Sequence, residues 1–399
     1  MASAIDENRQ LSSFGRTIVR IGGLVGFAAF AIAVVLACRS EGSLNRLCQS
    51  YLVNFCYFLS LALGALFFVM LQHLTRSGWS VTVRRLAEGI AGGVLPLAVL
   101  LLPIILCMQH LYTWADPELV AGDHLIHSKG AYLNRGAFVA RCAIYFVVWV
   151  SLARYYLRRS IRQDSSGDPM VTRAMERLSG PAMVAFALTI TFAAFDLLMS
   201  RDPKWFSTIF GVYYFAGSAV GFFALLAVVM YLLQRSGRLA RSITVEHYHD
   251  VGKLLFAFVV FWAYIAFSQY MLIWYGNLPE ETAWYLRRQT GSWTAVTFAL
   301  LFGHFVIPFL GLVSRYPKRR PGLLALAAAW VLVMHWIDVY WLAMPEASPQ
   351  GVGFSILDVL CFVGIGGWFL AWCAYLLRSC SLIPEKDPRL AESLAFENV

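Results

Sequence analysis

Charge is scarce in this 399-residue chain. Asp, Glu, Lys and Arg make up 14% of it, where a soluble domain carries about a quarter. That shortage excludes the two or three soluble domains that length alone would suggest. Acids are the scarcer sign, 23 against 32 bases, for a net charge of +9. The bases fall in short clusters between apolar runs, where orientation signals of a membrane protein belong, and not in one patch that would suit a nucleic acid. Cysteine motifs are missing as well. Cys38, Cys48, Cys56, Cys107, Cys142, Cys361, Cys373 and Cys380 form no CxxC and no CxxCH, so iron–sulfur, zinc-ribbon and covalent haem readings have no support. Cys38 and Cys48 flank one short loop and are candidates for pairing in an oxidising compartment. Plain membrane-helix cysteines are the favoured reading.

What the chain has in excess is apolar residues, 59% of the total. They gather into runs long enough to cross a hydrocarbon slab of ~30 Å, which takes roughly 20 helical residues. Ten runs qualify, near 18–37, 53–74, 88–108, 137–157, 180–200, 209–234, 252–274, 290–313, 321–343 and 354–377. The expected fold is therefore an all-α polytopic membrane protein of about ten transmembrane helices. Its membrane domain covers 18–377, between an N-terminal tail at 1–17 and a C-terminal tail at 378–399. The first run is too long for a signal-peptide core of roughly 7–15 residues and reads as a retained helix.

With the N-terminus inside, 22 of the 32 Lys and Arg fall on the cytoplasmic side and 8 outside. This asymmetry predicts cytoplasmic termini and a multi-pass inner-membrane location. The longest outer loop, about 109–136, carries Trp114, Asp116, His124 and His127, and is expected to cap the bundle or meet another protein. Trp205, in the short loop RDPKWFST (201–208), reads as an aromatic anchor at interface depth.

Ionisable side chains inside spanning helices cost ~2.5–3.5 kcal/mol each at the centre, so each needs a partner or a purpose. They form three layers here. The inner layer holds His73, Glu88 and the cluster Glu246, His247, His249, Asp250 and Lys253. The middle holds His304 with Tyr264, Ser268 and Gln269. The outer third holds Asp196, His335, Asp338 and Asp358. His335 and Asp338 are three apart on one helix face, and such a pair can accept or pass a proton near neutral pH. The functional reading is a proton path from the inner cluster through His304 to the outer carboxylates. The bland reading is interhelical hydrogen bonding, group by group. A non-covalent haem is disfavoured, because His304 and His335 are expected about 9 and 14 residues from the inner face, ~7 Å apart in depth. The segments FDLLMS (195–200) and IDVYWLAM (337–344) also echo each other, each with an Asp near the end of its helix and four helices apart, as two parallel repeats would have it.

Four long strings carry a family resemblance: FFVMLQHLTRSGWSVTVRR (67–85), KGAYLNRGAFVARCAIYFVVW (129–149), FDLLMSRDPKWFSTIFGVYYFAGS (195–218) and YHDVGKLLFAFVVFWAYIAFSQYMLIWYGNLPEET (248–282). Over about residues 15–345 the chain resembles the ActF family, the second NrfD/polysulfide-reductase-like membrane subunits of bacterial alternative complex III. The resemblance implies two four-helix bundles with flanking helices, in a respiratory or photosynthetic quinol oxidoreductase that delivers electrons to cytochrome c or a terminal oxidase. It implies partners in an ActC-like membrane subunit, an iron–sulfur subunit and c-type cytochromes, with the haems and clusters on those partners. No catalytic residue, metal or covalent cofactor is expected in this chain.

Two roles follow from these residues. One is an accessory subunit supplying a transmembrane proton route through Asp196, His247, His249, Asp250, Lys253, His304, His335 and Asp338. The other is a subunit with its own quinol or menaquinone site near the outer ends of helices five, nine and ten, contacted by Asp196, His335 and Asp338. A stand-alone transporter and a structural scaffold are the further alternatives.

Overall fold

The computed structural model describes residues 7–39 and 42–398. Residues 1–6, 40, 41 and 399 lie outside these, and with them the start of the 1–17 tail and the end of the 378–399 tail. The chain is 79% helix, without strands among the described residues. Among the described residues, ten helices are long and apolar enough to span a membrane, as expected of a backbone that must satisfy its own polar groups in lipid. They are α1 (Ser12–Ala37), α2 (Ser43–Leu74), α3 (Val81–Leu106), α4 (Arg135–Ser166), α5 (Pro169–Arg201), α6 (Phe210–Arg235), α7 (Val245–Gly276), α8 (Trp293–Val313), α9 (Pro321–Ala347) and α10 (Ile356–Leu377). The protein is thus a multi-pass membrane protein.

Local chemistry sets the ends of these helices. Asn134 accepts from Ala137 N ahead of α4, and Asp168 accepts from Met170 N ahead of α5, with Pro169 in the first turn. Ser355 and Asp358 form a reciprocal capping box on α10. These groups satisfy amides that have no partner in the first turn. Inside α3, Gly92, Gly93 and Pro103 break the ladder into three pieces, and Tyr51 Oη donates to the Leu100 carbonyl at 2.6 Å. Pro345 in α9 has no N–H for the Trp341 carbonyl four residues back. Arg288 supplies it, with Nε 3.2 Å from Trp341 O and Nη2 2.9 Å from Leu342 O.

Burial shows which helices are central. The most apolar window of α2 is 94% buried, against 17% for α1. Helix α2 packs on α3, α5, α6, α9 and α10, while α6 is wedged among α2, α5, α7 and α9. Helix α1 lies on the outside, mainly along α10. Small residues allow that contact: a Cβ on Gly22 would stand 2.8 Å from the Gly367 carbonyl, and one on Gly26 2.9 Å from the Gly364 carbonyl. Such a backbone-to-backbone approach is how helices adhere where lipid removes the hydrophobic drive between them.

The two described ends of the chain meet at one face. Leu239 N donates to Asn8 O at 3.2 Å and Leu382 N to Arg9 O at 2.8 Å. Beside them, Glu7 accepts from Arg241 N at 2.8 Å, Ser242 N at 3.1 Å and the Ser242 hydroxyl. Burial opposes the Glu7 charge, but these hydrogen bonds outweigh it and hold the carboxyl below its ordinary 4.5. A depressed carboxyl contributes stability above its unfolded value and loses it as pH falls through the folded one. The N-terminal segment is therefore expected to release from the α6–α7 loop below about pH 4.5. Limited proteolysis of the first 15 or so residues between pH 7 and pH 3.5 checks this. Cleavage should rise at low pH in the native protein, and Glu7→Gln should cleave at the fast rate throughout.

Candidate functional site

The chemistry concentrates midway along the helices, where α2, α6, α7, α8 and α9 converge. On α9, Asp338 accepts from Tyr213 Oη of α6 at 2.6 Å and from Trp262 Nε1 of α7 at 3.1 Å. No cation bonds to it among the described residues, and it is 1% exposed. One turn back, His335 Nε2 lies 2.7 Å from Ser60 Oγ of α2, while Ser60 donates to the Tyr57 carbonyl at 2.6 Å. A hydroxyl so committed is an acceptor toward the ring, which puts the proton on His335 Nε2. That leaves Nδ1 as an acceptor, and it has no hydrogen-bond partner.

His304 completes the group. Its ring lies flat on Trp262, centroids 4.1 Å apart at 14°, and edge-on to His335, centroids 6.2 Å apart at 70°. It is fully buried, and neither ring nitrogen has a hydrogen-bond partner among the described residues. The residues Leu300–Val306 form a π-helical turn around it. Pro308 lies four positions on and cannot donate to the His304 carbonyl, and Trp330 Nε1 takes the Gly303 carbonyl at 2.8 Å. Turns of this type recur at functional sites because they re-aim a side chain.

Glycines make the room. Gly217 and Gly221 of α6 face His335, where a Cβ would stand 3.1 Å and 2.6 Å from ring carbons, and Gly217 also borders Asp338. Two imidazoles and a carboxylate thus lie side by side in the buried core, with three ring nitrogens that have no hydrogen-bond partner among the described residues. Proton transfer between such groups needs only small ring rotations or a bridging water.

The sequence-predicted residues divide. His304, His335 and Asp338 come together. The sequence estimate put the two histidines ~7 Å apart in depth, and their ring centroids are 6.2 Å apart, so the two side chains are neighbours. Asp338 and His335 are bonded to different groups, however, and not to each other. Asp196 is elsewhere: Arg141 of α4 holds it bidentately at 2.9 and 2.8 Å, and Tyr145 Oη adds 2.8 Å. Asp358 is bound by Arg46 and by Ser50 at 2.7 Å.

The inner cluster is built from local pairs. His247 caps α7 by accepting at Nδ1 from Thr244 N at 3.0 Å, Glu246 pairs with Arg319, and Asp250 pairs with Lys253. His249 Nδ1 has no hydrogen-bond partner among the described residues. From His249 to Trp262 is about 20 Å at helical rise, and the buried face between carries Val251, Leu255 and Val259. No hydrogen-bonded chain joins the two groups among the described residues.

Two further expectations change. Tyr264 is 65% exposed and points away from the bundle, whereas Gln269 is buried. Trp205 is buried and stacks on Trp284 at 4.4 Å instead of anchoring in the interface. Cys38 is exposed and, like Cys48, a free thiol. The long loop does cap the bundle, with Trp114 Nε1 donating to Ser200 O at 3.0 Å and Tyr112 Oη to Leu197 O at 3.1 Å. Sequence reasoning missed Ser60, Tyr213 and Trp262. Trp262 and Gln269 are seven apart on one face of α7, and that spacing was the available signal.

No protein-family model matches the chain, and no curated protein matches it.

Proposed function

We propose that this chain is a proton-conducting membrane subunit of a quinol-oxidising complex of the alternative complex III type, ActF-like in its strings. The observation that carries the proton role is the set of three unpartnered imidazole nitrogens beside Asp338, a buried carboxylate without a cation. A buried carboxylate held only by neutral donors, beside imidazoles with no partner among the described residues, is retained for work, since apolar residues would pack there at lower cost. In this reading α2–α5 and α6–α9 are two four-helix bundles, flanked by α1 and α10. The tight α1–α10 packing outside the rest supports that grouping. The 22-to-8 charge split supports cytoplasmic termini in a bacterial inner membrane.

The partners would be an ActC-like subunit, an iron–sulfur subunit and c-type cytochromes, which supply the redox centres. The role of this chain is then to hold and pass the protons that quinol oxidation releases. Isolating the tagged chain from its native membrane under mild detergent tests this. Co-isolation of c-type haem, iron–sulfur protein and quinol-oxidising activity is expected. A chain that comes away alone, stable and free of haem, would overturn it.

A quinone site in this chain is the second reading. A cavity of about 470 Å³ at the outer end of α5 supports it, lined by Tyr132, Phe192, Phe195, Trp205 and Phe206. Arg141, which holds Asp196, lies over the Tyr132 ring at 3.7 Å. Aromatic walls with few polar groups suit a flat apolar ring.

A further inference from the structure

A groove of about 430 Å³ near the Ser166 end of α4 is lined by Ser151, Arg154, Tyr155, Arg158, Arg159 and Arg162. None of its four arginines makes an ion pair among the described residues, although carboxylates are close in sequence. Asp164 is turned to Arg85 at 2.9 Å, Asp168 caps α5, and Glu176 is shared by Arg76 and Arg389. Arg159 leans over the Tyr155 ring at 5.3 Å, which holds one wall of the groove in place.

The same helix face continues into the hydrocarbon. Ile144, Val147, Ser151, Arg154 and Arg158 follow one another at intervals of three or four, so they form one stripe. Ile144 and Val147 are 58% and 66% exposed. The stripe therefore reads apolar, then hydroxyl, then guanidinium, as a phospholipid reads acyl chain, glycerol, phosphate. Orientation by positive charge needs bases on one side of the membrane, but it does not require them to be aligned on one face below an open apolar track.

We propose that this groove is a binding site for an anionic phospholipid bearing two phosphodiesters. Arg154 to Arg162 spans about 12 Å along the axis. Guanidinium groups bind phosphate oxygens in pairs, so four of them over that length exceed what one phosphodiester occupies. Clusters of Lys and Arg at the cytoplasmic end of a membrane helix bind anionic headgroups. The assignment needs only that α4 spans the bilayer and is independent of the proton role.

Native mass spectrometry of the purified full chain tests it, with cardiolipin, phosphatidylglycerol and phosphatidylcholine added in turn and inorganic pyrophosphate as competitor. Cardiolipin should be retained at least about tenfold better than phosphatidylglycerol, and phosphatidylcholine not at all. The triple variant Arg154→Gln, Arg158→Gln, Arg162→Gln should lose this retention. Arg173→Gln with Arg177→Gln, which removes charge from a different cavity, should keep it. Equal retention of phosphatidylcholine, an unaffected triple variant, or displacement by pyrophosphate would overturn the lipid assignment, the last by showing a site for soluble phosphate.

Discussion

His304→Phe is expected to abolish most proton transfer while leaving the protein as stable as before, or more so. Phenylalanine keeps the flat contact with Trp262 and removes two buried nitrogens that have no partner. Removing an unsatisfied buried polar group is neutral or favourable for stability, by roughly 1–3 kcal/mol at most. Loss of a positioned proton carrier lowers a rate by about 100-fold or more. The two effects have opposite signs, so a purely structural histidine and a proton carrier give different results. Asp338→Asn should show the same rate loss with a modest fall in stability, because its oxygen can still accept from Trp262 Nε1 while its NH2 faces Tyr213, whose hydroxyl must then turn from donor to acceptor. Proton release per quinol and turnover in the assembled complex are the measurements. Wild-type values in both variants would end the proton assignment.

Arg141→Leu is expected to act the other way, through stability. It leaves the Asp196 carboxylate buried with only Tyr145 as donor, and breaking one partner of a buried pair costs about 3–5 kcal/mol. Replacing both residues, Arg141→Leu with Asp196→Leu, should recover a large part of that loss, since a well-packed apolar pair often does as well as the ions. Thermal unfolding in a single detergent reads this. A stable Asp196 variant that has lost proton transfer would instead return Asp196 to the path.

Helix number, the capping loop and the polar residues of α8 and α9 were all legible in the sequence, because each is written in runs of side chains that lipid sorts strictly. The partners of those residues were not. Asp196 and Asp338 sit in matching phrases, FDLLMS and IDVYWLAM, yet one faces Arg141 and the other faces neutral donors. That difference depends on which face of α4, α6 and α7 turns inward. Trp262 and Tyr213 escaped notice because aromatic residues in an apolar helix look like ordinary packing until a buried carboxylate is found against their polar tips. The inner cluster misled for the converse reason: charges that stand together in the chain, such as Glu246, Asp250 and Lys253, are here bonded to Arg319 and to one another.

The wide turn in α8 has a consequence for the whole helix. An α-helical wheel advances about 100° per residue, and a turn that closes on the fifth residue adds one position without adding a full step of rotation. Residues before Leu300 and after Val306 are therefore out of phase with a single wheel by about one residue. Deleting one residue of the 300–306 turn other than His304 would restore a regular ladder with both flanks of α8 left in place, and would re-aim only the side chains of the turn. His304 would then leave Trp262 for lipid or the opposite wall, although every helix and every other polar residue remained in its place.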